Sequence, residues 1–394
     1  MNKRKIVNVL ACCLSIFWSG AICFGYPGVM STYWQQAFSV GPSETGLVVT
    51  FMLLALAVMM FFSGKFHMKY GMRICILIGT LFYAVSFLLL RIADNIYMVY
   101  VWAFLANLGC SFIYGPGLTT AQQAFPQKRG LVSGIVNLVF GISAAIMSPV
   151  LNRLLADIGY EKLNLLLLLF IVATNLLAML LLGKKEQREE AAEEKHYAVS
   201  LNVSQAMKTK TFWLIWLMWA FMGAAGISMV SLAKSYAATI GIASVSILTA
   251  FNLANGLIRI VVGYLTDLIG YRITGMVAFV LAGIGYLILP HTSNLGILML
   301  CAVFVGIGFG TLFTISGPMI SKQFGLAYFG LIFGVIFTAY GLIGGVFGPA
   351  IAGVILARTN GNYLLVFTYL AVFALFGAGL MSRVKESQAE RLPR

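Results

Sequence analysis

Gly64-Lys-Phe-His-Met-Lys-Tyr-Gly71-Met-Arg73 and Gly263-Tyr-Leu-Thr-Asp-Leu-Ile-Gly270-Tyr-Arg272 are two copies of one pattern, G-x6-G-x-R, set 199 positions apart in a chain of 394 residues. Other marks return at nearly the same offset. Phe125, Gly130, Gly134 and Gly141 through Pro149 recur as Phe324, Gly330, Gly334 and Gly341 through Pro349. A spacing held within one residue over that distance implies an internal duplication.

Each copy is embedded in apolar runs of about 20 residues, the length that crosses a bilayer's hydrocarbon. Six lie near 7–33, 44–64, 74–93, 97–121, 130–152 and 163–183, and six more near 212–233, 244–266, 273–290, 295–320, 326–353 and 362–382. Sixty per cent of the chain is apolar and only 10% is charged, against about 25% charged in an average soluble domain. So few charges cannot cover a soluble surface of this size, and the bilayer must be the solvent. The expected fold is an all-α membrane protein of twelve transmembrane helices in two parallel six-helix halves. An N-terminal bundle is expected over 1–183, a linker over 184–211 with a short surface helix near 200–208, and a C-terminal bundle over 212–394. In such a duplicated arrangement the substrate path runs between the halves near mid-membrane.

The net charge of +14 would suggest nucleic acid in a soluble protein, but its distribution reads as topology. Alternating the loops between two sides puts 20 Lys and Arg on the side holding both termini and five on the other, with Arg259 inside a span. The bias of basic residues towards the inside then places both termini in the cytoplasm, in a cytoplasmic or inner cell membrane. The basic start Met1-Asn-Lys-Arg-Lys ahead of an apolar run resembles a signal peptide, yet the run is long and reads as an uncleaved first helix. All six cysteines fall in or beside spans without metal-like spacing and read as small core residues. Asn202-Val-Ser204 matches a glycosylation acceptor, which has no meaning on the cytoplasmic side.

Arg259 is the most informative residue. It precedes Asp267 by eight positions, about 12 Å of helix, which puts it well inside the eighth span. A guanidinium there costs at least ~3 kcal/mol and cannot shed its proton. The twelve carboxylates are Glu44, Asp94, Asp157, Glu161, Glu186, Glu189, Glu190, Glu193, Glu194, Asp267, Glu386 and Glu390, and none falls mid-span. A permanent buried cation of this kind suits an anion, and the guanidinium fork can hold both oxygens of a carboxylate. The plainer alternative is an arginine that snorkels to the surface or bonds backbone carbonyls. Asn255, one turn earlier on the same face, is placed to hold the guanidinium or a substrate hydroxyl, or simply to bridge helices. Tyr340, Tyr114 and Tyr26 are further candidates for contacting substrate, each with interhelical packing as the alternative. Lys234, at the outer end of the seventh span, either steers anions to the mouth or anchors the helix at the interface. His67, His196 and His291 fall in loops or at span ends, which leaves no buried histidine as a proton relay.

The paired G-x6-G-x-R loops, the six-plus-six repeat and the charged linker resemble the major facilitator superfamily over the whole chain. Asp267 matches the acidic residue of the family's loop, whereas the first copy has Met68 there, without the charge. Phe125-Pro-Gln-Lys-Arg-Gly-Leu-Val-Ser-Gly134, Asn255-Gly-Leu-Ile-Arg259 with Gly263, Tyr114-Gly-Pro116 and the stretch around Tyr340 resemble more narrowly the oxalate/formate antiporter and monocarboxylate transporter branch. That resemblance implies substrate contact by Arg259 and Tyr114 and a gating role for Asp267. It also marks two departures: Asn255 stands where animal-type monocarboxylate transporters have a proton-coupling Asp, and Tyr340 where oxalate-type relatives have a Lys.

The resulting expectation is a secondary transporter, not an enzyme, that carries a small organic anion, a monocarboxylate of the lactate, pyruvate or formate type, together with a proton. Oxalate/formate-type anion exchange and a facilitator for an unrelated solute are the alternatives. No cofactor, metal or nucleic acid is expected, only lipid around a monomer. A membrane enzyme would need carboxylates, histidines or metal ligands meeting in the membrane, and a cation exporter would want a buried carboxylate.

Overall fold

A computed structural model describes residues 3–182, 200–241 and 246–385. Most of the expected linker, with His196, and the carboxylates of Glu186, Glu189, Glu190, Glu193, Glu194, Glu386 and Glu390 lie outside the described residues. Among those described, ten helices are long and apolar enough to cross a membrane. Two of the ten, Pro42–Arg91 and Arg129–Leu181, turn a corner at Gly71 (φ 76°) and Gly159 (φ 77°). Counted on either side of these corners the crossings are twelve.

We label them in chain order: α1 (3–38), α2 (42–70), α3 (72–91), α4 (Ile96–Ala124), α5 (129–158), α6 (160–181), α7 (Lys210–Thr239), α8 (Ser246–Ile269), α9 (Tyr271–Ile288), α10 (Leu295–Phe324), α11 (329–358) and α12 (Tyr363–Arg383). Wider π turns interrupt α1 at Ala21–Gly25 and α11 at Ala339–Gly344 and Val346–Ala350. Both sites are glycine-containing and lie at or beside a proline, which cannot donate to the helical ladder. A one-turn helix, Val203–Met207, follows the linker and is capped by Asn202 and Gln205.

The structure explains each fixed position of the repeated motif. The second glycine makes the left-handed corner between consecutive helices, at Gly71 (φ 76°) and Gly270 (φ 86°), a conformation that side-chain-bearing residues resist. The first glycine lets two backbones meet. A Cβ added at Gly64 would lie 2.6 Å from the Gly330 carbonyl, and one added at Gly263 would lie 2.7 Å from the Gly130 carbonyl oxygen. The arginine ties a helix end in the first copy, where Arg73 donates to the carbonyl of Leu182.

Packing groups the chain into two units. One contains 1–127, 139–200 and 326–335; the other contains 128–138, 201–325 and 336–394. The opening turns of α5 thus pack with α8, and those of α11 with α2. His67, expected in a loop or at a span end, lies near the end of α2, half-buried with its Nε2 3.0 Å from Thr120 Oγ1.

Candidate functional site

Arg259 is buried on α8, with 1% of its surface exposed. Nε donates to the Asn255 carbonyl (2.9 Å), Nη2 to the Asn255 side-chain oxygen (3.1 Å), and Nη1 to the Asn137 carbonyl on α5 (2.6 Å). A hydrogen bond to a charged group contributes ~1.5–3 kcal/mol, so three of them offset the cost of placing the guanidinium mid-span. These bonds satisfy N–H groups but bring no opposite charge.

Neighbouring helices close over the guanidinium because glycines admit them. A Cβ at Gly134 of α5 would be 2.5 Å from the Arg259 carbonyl oxygen, and one at Gly310 of α10 would be 2.5 Å from that of Asn255. One turn beyond Gly310, Phe313 lays its ring 5.0 Å from the Arg259 guanidinium carbon, a favourable cation–π placement. Tyr340, in the first π turn of α11, meets the same ring at 5.8 Å, and also Trp219 at 5.6 Å, Phe337 at 5.4 Å and Phe309 at 6.2 Å. Gly223 of α7 makes room for it, since a Cβ there would come within 2.9 Å of the phenol ring. Trp219 is fixed by donating to Ser316 Oγ at 2.8 Å. The result is one cation set beside an aromatic wall with a phenol in it.

Asn255 therefore holds the guanidinium, by its backbone and its side chain together. Arg259, Asn255 and Tyr340 are gathered around Phe313 in one unit. Tyr114 and Tyr26 belong to the other. Tyr114 is buried against Phe140 (4.6 Å) and Phe333 (6.5 Å). Tyr26 donates to Asn164 and packs between Trp102 (5.0 Å), Phe87 (5.8 Å) and Trp34 (6.1 Å). Trp34 in turn donates to Tyr160, on which Tyr33 stacks, so Tyr26 is a member of a packed aromatic cluster within its unit. Asp267 accepts from the amides of Gly130 (2.9 Å) and Leu131 (2.8 Å), which caps α5. Lys234 lies on α7, and its side chain is outside what the structure describes.

Sequence reasoning missed Asn137 and Phe313. A polar residue inside an apolar helix, one turn beyond Gly134, was the available signal for the first. Nothing in the sequence separates Phe313 from the other 28 phenylalanines.

The sequence profile of the Major Facilitator Superfamily matches residues 12–247 and 228–393. Among characterised proteins, the chain is 25% identical over 324 residues to an oxalate:formate antiporter of Oxalobacter formigenes, covering 79% of this chain and 76% of that one. It is 29% identical over 129 residues to monocarboxylate transporter 9 of Rattus norvegicus, covering 31% and 25%. Among solved structures it resembles the proton:xylose symporter XylE, with a TM-score of 0.74 at 12% identity over 97% of this chain and 96% of that one. The profile spans both halves and the backbone likeness spans nearly the whole chain, so the protein belongs to the Major Facilitator Superfamily and is an all-α, multi-pass membrane transporter.

Proposed function

We propose that the protein carries a small monocarboxylate of the lactate, pyruvate or formate type across the cytoplasmic membrane by alternating access, together with a proton. The observation that carries this reading is the Arg259 guanidinium, buried on α8 and held by carbonyl oxygens and a phenyl ring. Such a group binds a carboxylate through charge and paired hydrogen bonds, and a single cation matches a single carboxylate. Tyr340 adds a phenolic donor beside the aromatic wall, and Tyr114 and Tyr26 are the contacts proposed within the N-terminal bundle (1–183). Lys234 draws anions towards the outer mouth. Asp267, with both termini in the cytoplasm, closes the inner side by holding the start of α5. The antiporter and monocarboxylate transporter among the relatives support an organic anion as cargo.

Anion exchange is the second reading, favoured by the oxalate:formate antiporter's match over most of this chain. Uptake of labelled lactate, pyruvate, formate and oxalate into proteoliposomes, with and without a pH gradient, separates the two. The proposal expects exchange to outpace net uptake, because the loaded guanidinium is neutralised, and an inward proton gradient to accelerate net uptake. Net uptake indifferent to pH alongside fast exchange makes the protein an antiporter. Transport of none of these acids removes the anion reading.

A further inference from the structure

The duplicated motif builds two helix seams with the same glycine contacts and opposite chemistry. At the seam of α5 with α8, Gly130 and Gly134 meet Gly263 and the Arg259 backbone. Arg259 Nη1 bonds the Asn137 carbonyl there, and Asp267 caps α5. At the seam of α2 with α11, Gly64 meets Gly330, and a Cβ on Gly334 would lie 2.6 Å from the Phe61 amide nitrogen. The positions 199 residues before Arg259 and Asp267 are Met60 and Met68. The first seam is tied by charge at the two places where the second has methionine.

The bonds of Arg259 divide by direction. Nε and Nη2, which share one edge of the guanidinium, both go to Asn255 on the same helix and move with it. Phe313 lies against the guanidinium. Nη1 reaches off the helix, to a backbone carbonyl of α5. A carboxylate grips a guanidinium through two donors on one edge. With the Nε edge held by Asn255, the edge it meets is Nη1 with Nη2, where Nη1 is bonded to Asn137. A charged acceptor makes a hydrogen bond about twice as strong as a neutral carbonyl does, so it displaces that carbonyl.

We propose that the bound carboxylate and the Asn137 carbonyl compete for Nη1 of Arg259, so that substrate binding itself unties α5 from α8 at the Asp267-bearing seam. This rests on the anion reading of Arg259. Asn137 acts through its backbone as the positioning partner of Arg259 in the unloaded carrier, and the carboxylate takes its place in the loaded one. The α2–α11 seam, with Met60 and Met68 at the matching positions, takes no part in this exchange. An isosteric neutral amide, a weaker acceptor with no charge, leaves the tie in place.

The test uses spin labels on the full chain in liposomes, at Ile135→Cys and Tyr264→Cys. Both positions are exposed, on α5 and α8, and the six native cysteines are buried. A second pair, Leu131→Cys with Leu268→Cys, reads the same seam should the first not fold. Binding of L-lactate, pyruvate, formate and lactamide is followed in parallel by calorimetry. The expected result is a shift of the 135–264 distance distribution to longer separations at saturating lactate, with none on adding lactamide. Lactate that binds without moving the distance overturns the competition and leaves the anion reading standing. An equal shift with lactamide also overturns it. Absence of binding by lactate, pyruvate and formate alike overturns both.

Discussion

Asp267 on α8 accepts a hydrogen bond from the backbone amide of Gly130 at 2.9 Å, while the Gly130 and Gly263 backbones lie so close that a Cβ on Gly130 would come within 2.5 Å of the Gly263 carbonyl oxygen. The carboxylate sits on the opening turn of α5, where unpaired N–H groups and the helix dipole favour negative charge. The close approach and the cap depend on each other: the glycines bring the helix start near enough for a short aspartate side chain to reach it.

Asp267→Asn keeps one oxygen acceptor but removes the charge, a loss of ~1 kcal/mol for a helix-terminal carboxylate. The equilibrium between the tied and untied seam should shift by about fivefold. Thiol labelling of a cysteine placed at Leu131 should speed up accordingly. The pH response of net uptake should be unchanged on the proposed reading, in which Asp267 serves as the cap of α5. A lost pH response would reassign it.

Arg259→Ala leaves the Asn137 carbonyl and the Asn255 amide without their donor and removes the buried charge. Two charged hydrogen bonds at ~1.5 kcal/mol each correspond to a loss of at least ~100-fold, so uptake should fall by that much or more. Arg259→Lys should fail nearly as badly, since an ammonium lacks the planar fork that presents two parallel N–H donors to a carboxylate. Size-exclusion profiles of the purified variants check that both remain folded. Near-normal uptake by the alanine variant would remove the anion site.

Tyr340→Lys places an ammonium among Trp219, Phe309, Phe313 and Phe337, whose ring faces tolerate a cation. With two cations beside the wall, competition assays should show preference moving from lactate towards oxalate by about tenfold or more, equivalent to one added ion pair of ~1.5 kcal/mol. In the unmodified protein, tighter binding of oxalate than of lactate, pyruvate and formate would contradict the single-cation argument.

Gly134→Ala drives a methyl group to 2.5 Å from the Arg259 carbonyl oxygen, a contact that only a backbone shift can relieve. Transport should drop severalfold and the melting temperature should fall, reflecting an overpacking cost of ~1–3 kcal/mol. Gly353→Ala, where an added Cβ meets nothing within 4 Å, is the control. It should be neutral or stabilising by up to ~1 kcal/mol. Similar thermal shifts for the two would mean that the seam yields easily.

Periodicity and composition determined the membrane, the twelve crossings and the duplication, because a bilayer forces nearly all backbone polar groups into helices and each crossing is written as one apolar run. They also singled out Arg259, since a charge inside such a run has a cost that something must offset. The partners that offset it were decided by tertiary structure. Asn255 was legible, being one turn away on the same helix. Asn137 contributes a backbone carbonyl, which every residue possesses, and Phe313 is one ring among many. Both were selected by helix approach, through Gly134 and Gly310, and such approach depends on three-dimensional packing that linear spacing does not encode. Tyr26, singled out by its type and its place beside Pro27, has Trp34, Phe87 and Trp102 as ring neighbours, and linear spacing does not give them.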